Sequence, residues 1–172
     1  MTTDFRALIE CLTDASIEFI IVGGVAATIH GSARSTGDLD IVYRRTPENL
    51  ARVVRAIGPT APYPRGAPPG LPFTFDDRAI GLGVNFTLKT SLGLIDLLGE
   101  ITGGGAYEAL FPFTDTDQVY GRSCRFLVLD KLIAVKRAAG RPKDFEAIAE
   151  LELIREESAA APVRPAGVRS VP

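Results

Sequence analysis

The chain has 172 residues, 46% of them hydrophobic and 23% charged, with a formal net charge of −2. That length and composition suit one globular domain with its own core, and the charge excludes a broadly basic surface for coating nucleic acid. Two distant cysteines, Cys11 and Cys124, and a single histidine, His30, exclude a disulfide framework and Cys/His zinc sites; no apolar run nears the ~18 residues of a membrane span, and no export signal opens the chain, so a cytoplasmic protein away from any membrane is expected.

Residues 4–17 predict an amphipathic helix with Asp4 as N-cap and Phe5, Leu8, Leu12 and Ala15 at helical spacing. The apolar run Glu18 to Val22 predicts a buried strand, ended by Gly23-Gly24. A short helix follows from Val25 to His30, closed by Gly31, and then a polar connection over 32–37. Asp38 to Tyr43 predicts a second strand. Thr46-Pro47-Glu48 starts a helix whose stripe is Leu50, Val53, Val54 and Ile57, closed by Gly58.

Residues 59–72 hold six of the twelve prolines and predict a loop, either a lid or an exposed insert. Residues 73–75 and 84–90 read as extended, and 92–98 as the second arm of a hairpin turning at 90–91. Gly103-Gly104-Gly105 marks a turn. Arg122 to Leu129 predicts a strand, Asp130 caps a helix over 131–139, and Gly140 stops it. The last helix spans roughly 142–157, with Phe145, Ile148, Leu151 and Ile154 inward. The expected organisation is one α/β (α+β) domain over 1–157, a mixed sheet flanked by helices, with a frayed tail over 158–172.

Three features carry chemistry. Gly23-Gly24 between a strand and a helix permits close backbone approach to a phosphate, or simply makes a tight turn. Asp38 and Asp40, two apart on a strand, share a face while Leu39 and Ile41 point into the core. Such a pair suits a divalent cation with oxygen ligands, or else is a solvated edge. Asp96 stands alone in the apolar run Leu92 to Leu98. A buried carboxylate there needs a shared metal or an arginine partner.

Gly23-Gly24, a helix, Arg34-Ser35-Thr36 and Asp38-Leu39-Asp40 together resemble the signature of the DNA polymerase beta-like nucleotidyltransferase superfamily. Closer still, the chain resembles small bacterial nucleotidyltransferases near the AbiEii-type toxins, through His30-Gly31, Arg34 and Thr36 ahead of the acids and through Leu129 to Asp144 late in the chain. The resemblance covers about residues 5 to 155. It implies a minimal nucleotidyltransferase fold in which Asp38, Asp40 and Asp96 bind Mg²⁺ (or Mn²⁺). It further implies that Asp96 helps deprotonate an acceptor hydroxyl and that Gly23 and Gly24 bracket the triphosphate of an NTP. The reaction would move a nucleoside monophosphate onto a hydroxyl and release pyrophosphate. The chain departs from many members in carrying Gly-Gly where they carry Gly-Ser, and in having no clear basic face.

The remaining candidates have two readings each. Lys136 reaches a β/γ-phosphate, as a comparable late-helix lysine does in AbiEii-like enzymes, or complements its helix dipole. Arg34 contacts phosphate or neutralises the acids, and Thr36 belongs to the same phosphate-side group. Arg141 and Lys143 read as surface residues with Asp144 pairing one of them. His30 reads as structural. The leading expectation is a nucleotidyltransferase of a toxin–antitoxin or phage-defence system, with RNA (tRNA included), a protein or a small molecule as acceptor and a cognate toxin or antitoxin as partner. The alternatives are a nucleotide- or partner-binding module without turnover, and a transferase that modifies small molecules.

Overall fold

The structure, a computed structural model, describes residues 2–160. The capping residues set the first helices. The Asp4 carboxylate accepts from the Ala7 amide at 2.9 Å and opens α1 (Phe5–Asp14). The Thr46 hydroxyl accepts from Asn49, and Pro47 occupies the first turn of α3 (Pro47–Ile57). Between them lie β1 (Phe19–Ile21), α2 (Gly23–Ile29) and β2 (Asp38–Tyr43). The helix α2 thus begins at Gly23 rather than at Val25, so both glycines belong to its first turn.

The proline-rich stretch is not a bare loop. It contributes β3 (Tyr63–Pro64), and a short helix not foreseen from the sequence, α4 (Asp77–Leu82), follows under the Asp76 cap. The extended run expected over 73–75 is irregular instead. The hairpin does form, from β4 (Asn85–Thr90) and β5 (Gly93–Leu98), turning at Ser91-Leu92. A small ribbon follows, β6 (Glu100–Ile101) with β7 (Gly105–Ala106), then α5 (Tyr107–Leu110). A second hairpin joins β8 (Thr114–Val119) to β9 (Arg122–Leu127). The chain ends in α6 (Leu129–Ala139) and α7 (Pro142–Ala160). Val128, not Asp130, holds the N-cap position of α6, and Asp130 lies in the first turn, within 3.5 Å of Arg155. The last helix continues through Ala160, so the expected tail does not begin at 158; residues 161–172 lie outside the described residues.

Among the described residues the main sheet has seven strands in the order β3-β4-β5-β2-β1-β9-β8. It is mixed: β2 runs parallel to β5 and β1 to β9, while the other neighbours are antiparallel. Helices flank it, α1 against α3 and α6 against α7, giving a mixed α/β fold. No helix among the described residues is long and apolar enough to cross a membrane.

Strand alternation decides where the core lies. Leu39 and Ile41 on β2 and Ile95 and Leu97 on β5 are fully buried on one face. The opposite face of the same strands carries Asp38, Asp40 and Asp96. On α7 the inward stripe is Asp144, Ile148 and Leu151, and Phe145 is 65% exposed rather than inward. One helical residue is a turn of about 100°, so a stripe that starts at Asp144 leaves Phe145 on the outer flank.

Candidate active site

The parallel pairing of β2 with β5 builds the floor of the site. Its register puts Asp38 beside Leu94 and Asp40 directly beside Asp96. The start of both strands is pinned by the N-terminal residues. The Thr3 hydroxyl donates to the Gly37 carbonyl at 2.5 Å and accepts from the Leu94 amide at 3.1 Å, while Asp4 N–H donates to the Leu92 carbonyl. One carboxylate oxygen from each of Asp38, Asp40 and Asp96 lies within 4.8 Å of the other two. The three acids expected to act together are therefore brought together, each partly buried.

Sequence reasoning missed the cation that crosses this cluster. Arg65, one residue beyond β3, donates through Nη1 to Asp38 Oδ2 at 3.0 Å and through Nη2 to Asp96 Oδ1 at 2.6 Å. Its backbone N–H holds the Thr87 carbonyl of β4, so the side chain reaches over β4 onto the floor. Three carboxylates against one guanidinium leave the cluster formally short of two positive charges. A chain with an acid flanked by leucines and a basic residue in the preceding loop held the signal for a pairing, but nothing in it gave the partner's number.

Gly23 and Gly24 have a visible packing duty. Gly23 has φ of +62°, and a Cβ there would collide with the Asp40 carboxylate; a Cβ on Gly24 would collide with Thr36. Thr36 in turn donates to Asp38, with its hydroxyl 3.3 Å from Asp38 Oδ1. The same hydroxyl lies 3.2 Å from the Asp38 backbone carbonyl, so its one proton is shared between the main chain and the carboxylate, and the glycine pair lets β2 and its approach lie close against α2. Arg34 lines the polar side of the cleft with the acids and pairs with Glu146 on α7 at 3.0 Å, both side chains well exposed. The adjoining Ser32 hydroxyl and Ala33 amide both donate to Glu150 of the same helix. Hydrogen bonds from Ser32 first and Ala33 next hold the Glu150 pKa below its ordinary value. His30 donates from Nε2 to the Leu127 carbonyl at 2.7 Å and meets Phe126 edge-on, a structural placement.

The opposite wall is basic and comes from α6 and α7. Lys136 has a side chain only 11% exposed and lies 3.5 Å from Asp144 Oδ1. Arg141 donates from Nε to Asp144 Oδ2 at 2.7 Å. Asp144 is thus paired with two cations, not one, and is 2% exposed. Burial alone would raise its pKa, but the Arg141 hydrogen bond and charge, followed by Lys136, outweigh burial and hold it below the ordinary carboxylate value. The Asp144 hydrogen bond raises the Arg141 pKa, and Asp40 and Asp38 add attraction from across the cleft. Arg141 therefore belongs to the site rather than to the outer surface, although half of its side chain is exposed. One carboxylate against two cations leaves this wall with a net positive charge. The side chain of Lys143 lies outside the described residues.

The cleft between the walls has two lobes that share Gly23, Asp40, Asp96, Lys136 and Arg141. The first, about 310 Å³, runs over Leu98, Ile101, Leu132 and Val135, with Asn85 and Glu100 at its polar side. The second, about 210 Å³, is polar and lined by Ser32, Arg34, Ser35, Thr36, Asp38 and Asp144. An all-oxygen donor set suits a hard divalent cation. Arg65 stands where such a cation's charge is wanted, and only a glycine at 23 leaves room for the Asp40 carboxylate. The residues present fit Mg²⁺ or Mn²⁺. In comparison with known proteins, no family model matches this chain and no curated protein matches it.

Proposed function

We propose that the chain is a Mg²⁺- or Mn²⁺-dependent nucleotidyltransferase with a minimal nucleotidyltransferase fold, moving a nucleoside monophosphate from an NTP to a hydroxyl. The observation that carries this reading is the convergence of Asp38, Asp40 and Asp96 on one floor facing Lys136 and Arg141 across a two-lobed cleft. Phosphoryl transfer needs little covalent chemistry from a protein; it needs positioning and charge placed where charge develops. Held by the three carboxylates, the cation would supply Lewis-acid charge at the transferring phosphate and make the acceptor hydroxyl easier to ionise.

The chain's own residues account for the rest. Lys136 and Arg141 meet the triphosphate in the polar lobe, with their charges already oriented by Asp144. Asp96 accepts the proton of the attacking hydroxyl, since it faces both lobes. Thr36 offers its hydroxyl to the Asp38 carbonyl and carboxylate at the start of β2. The lobe over Leu98, Ile101, Leu132 and Val135 takes an apolar ring, a base or an acceptor of similar size. A place in a toxin–antitoxin or phage-defence pair, with RNA, protein or a small molecule as acceptor, belongs to the same proposal.

A second reading is a nucleotide- or partner-binding module without turnover, and the placement of Arg65 across two of the acids favours it. One experiment separates them. Purified protein with Mg²⁺ and each α-labelled NTP is offered total RNA, a metabolite extract and itself as acceptor, beside Asp40→Ala. The expected result is label transfer that the variant loses. Saturable NTP binding with no transfer under any condition would leave the binding module.

A further inference from the structure

Resting on the metal reading above, we propose that Arg65 is a resident counter-ion that a divalent cation displaces, so that loading the acids releases the proline-rich segment from the sheet. Most arginines that hold a fold together are fully engaged. Arg45 is an example here: its guanidinium donates to the Tyr43 hydroxyl and to the carbonyls of Ile80, Gly81 and Gly83. Arg65 differs. Both of its terminal nitrogens go to acids of the proposed metal site, and among the described residues its buried Nε has no hydrogen-bond partner. A guanidinium offers five donors in a rigid fork. This one uses that fork to neutralise carboxylates and leaves a buried donor unmet, which is the arrangement of a replaceable cation rather than of a finished structural pair.

The segment that carries it is built to move. Arg65 follows a strand of two residues, and the next regular element is α4 at Asp77. Residues 66–72 are mostly exposed and rich in proline and glycine. Withdrawing this segment therefore costs the pairs Tyr63 with Lys89 and Pro64 with Leu88, the Arg65 N–H bond to the Thr87 carbonyl and the Tyr63–Phe73 ring contact, and no core helix or central strand. A divalent cation brings two charges to a cluster formally short of two, so it competes with Arg65 for the carboxylates of Asp38 and Asp96.

The test uses Mn²⁺ as probe on the full chain, followed by electron paramagnetic resonance or calorimetry, for the natural protein, Arg65→Gln and Arg65→Lys. Removing a competing unit charge a few ångströms away should tighten Mn²⁺ binding about tenfold or more in Arg65→Gln. Arg65→Lys should lie nearer the natural protein. In chelator, Arg65→Gln should melt lower than the natural protein, and Mn²⁺ should restore it. Trypsin gives an independent readout, because the bond after Arg65 is a substrate only when the side chain leaves the acids. Mn²⁺ should speed cleavage between Arg65 and Gly66 while leaving cuts elsewhere unchanged. Equal or weaker Mn²⁺ binding by a folded Arg65→Gln, or Mn²⁺ protection of the Arg65 bond, would overturn the displacement while leaving the metal site standing. No saturable Mn²⁺ binding by either protein would overturn the metal site, and the displacement with it.

Discussion

The two walls of the cleft hold their charges in opposite ways. On the sheet side, strand register forces Asp40 and Asp96 to face each other as like charges, an arrangement that weakens a pair of strands. On the helix side, a single buried carboxylate satisfies Lys136 and Arg141 at once. The first wall spends stability on a geometry useful only to a ligand. The second wall keeps one positive charge in excess, while its ion pairs stabilise the junction of α6 with α7. Both walls serve the proposed function, but stability rests on the helix wall, and substitutions should show that division.

Asp96→Asn should give the largest effect on turnover. Label transfer is expected to fall by ~10²–10³, the scale for losing a charged group at a transferring phosphate. Its melting temperature in chelator should stay within about 1 kcal/mol equivalent of the natural protein, because relieved repulsion offsets the lost Arg65 pair. A collapse of the fold in this variant would break the division.

Asp144→Ala should do the reverse. Removing one partner of a buried ion pair costs about 3 kcal/mol or more, and here two cations lose it together. Denaturant unfolding should show that loss with little change in slope. A variant as stable as the natural protein would place Asp144 among the functional acids instead.

The smallest effect is in acid. The folded-state pKa of Asp144 is held below its ordinary 3.8, so the unfolded chain takes up this proton first as pH falls. The stability it contributes is complete above about pH 5 and fades as pH drops through the ordinary value and then the lowered one. Denaturation curves between pH 5 and 2 should show this slope, and Asp144→Asn should flatten it.

The acids were legible in the sequence because a two-residue period puts Asp38 and Asp40 on one face, and because Asp96 is conspicuous among leucines. The pairing of β2 with β5 supplied the rest. Arg65 was not legible. A strand of two residues leaves no periodicity, and prolines around it read as loop. The role of Asp144 was hidden by an ambiguity on α7. A stripe from Phe145 and a stripe from Asp144 both suit Ile148 and Leu151, and only the ion pairs with Lys136 and Arg141 select the second. Strand β8 was missed because Thr114 to Gln118 has no apolar member, as befits the outermost strand of a sheet. Lys136 and Arg34 both line the polar lobe, and the pairing of Arg34 with Glu146 was hidden because the two are too distant in sequence to be weighed together.

The edge strand β3 has a consequence for how this protein behaves in a crowd. Sheet edges invite other chains, because each exposes a row of unmet backbone groups. Here the outermost strand is two residues long, and one of them is Pro64, which has no N–H to offer a newcomer. The sheet is therefore closed to edge-to-edge polymerisation at β4 by the same few residues that deliver Arg65 to the acids.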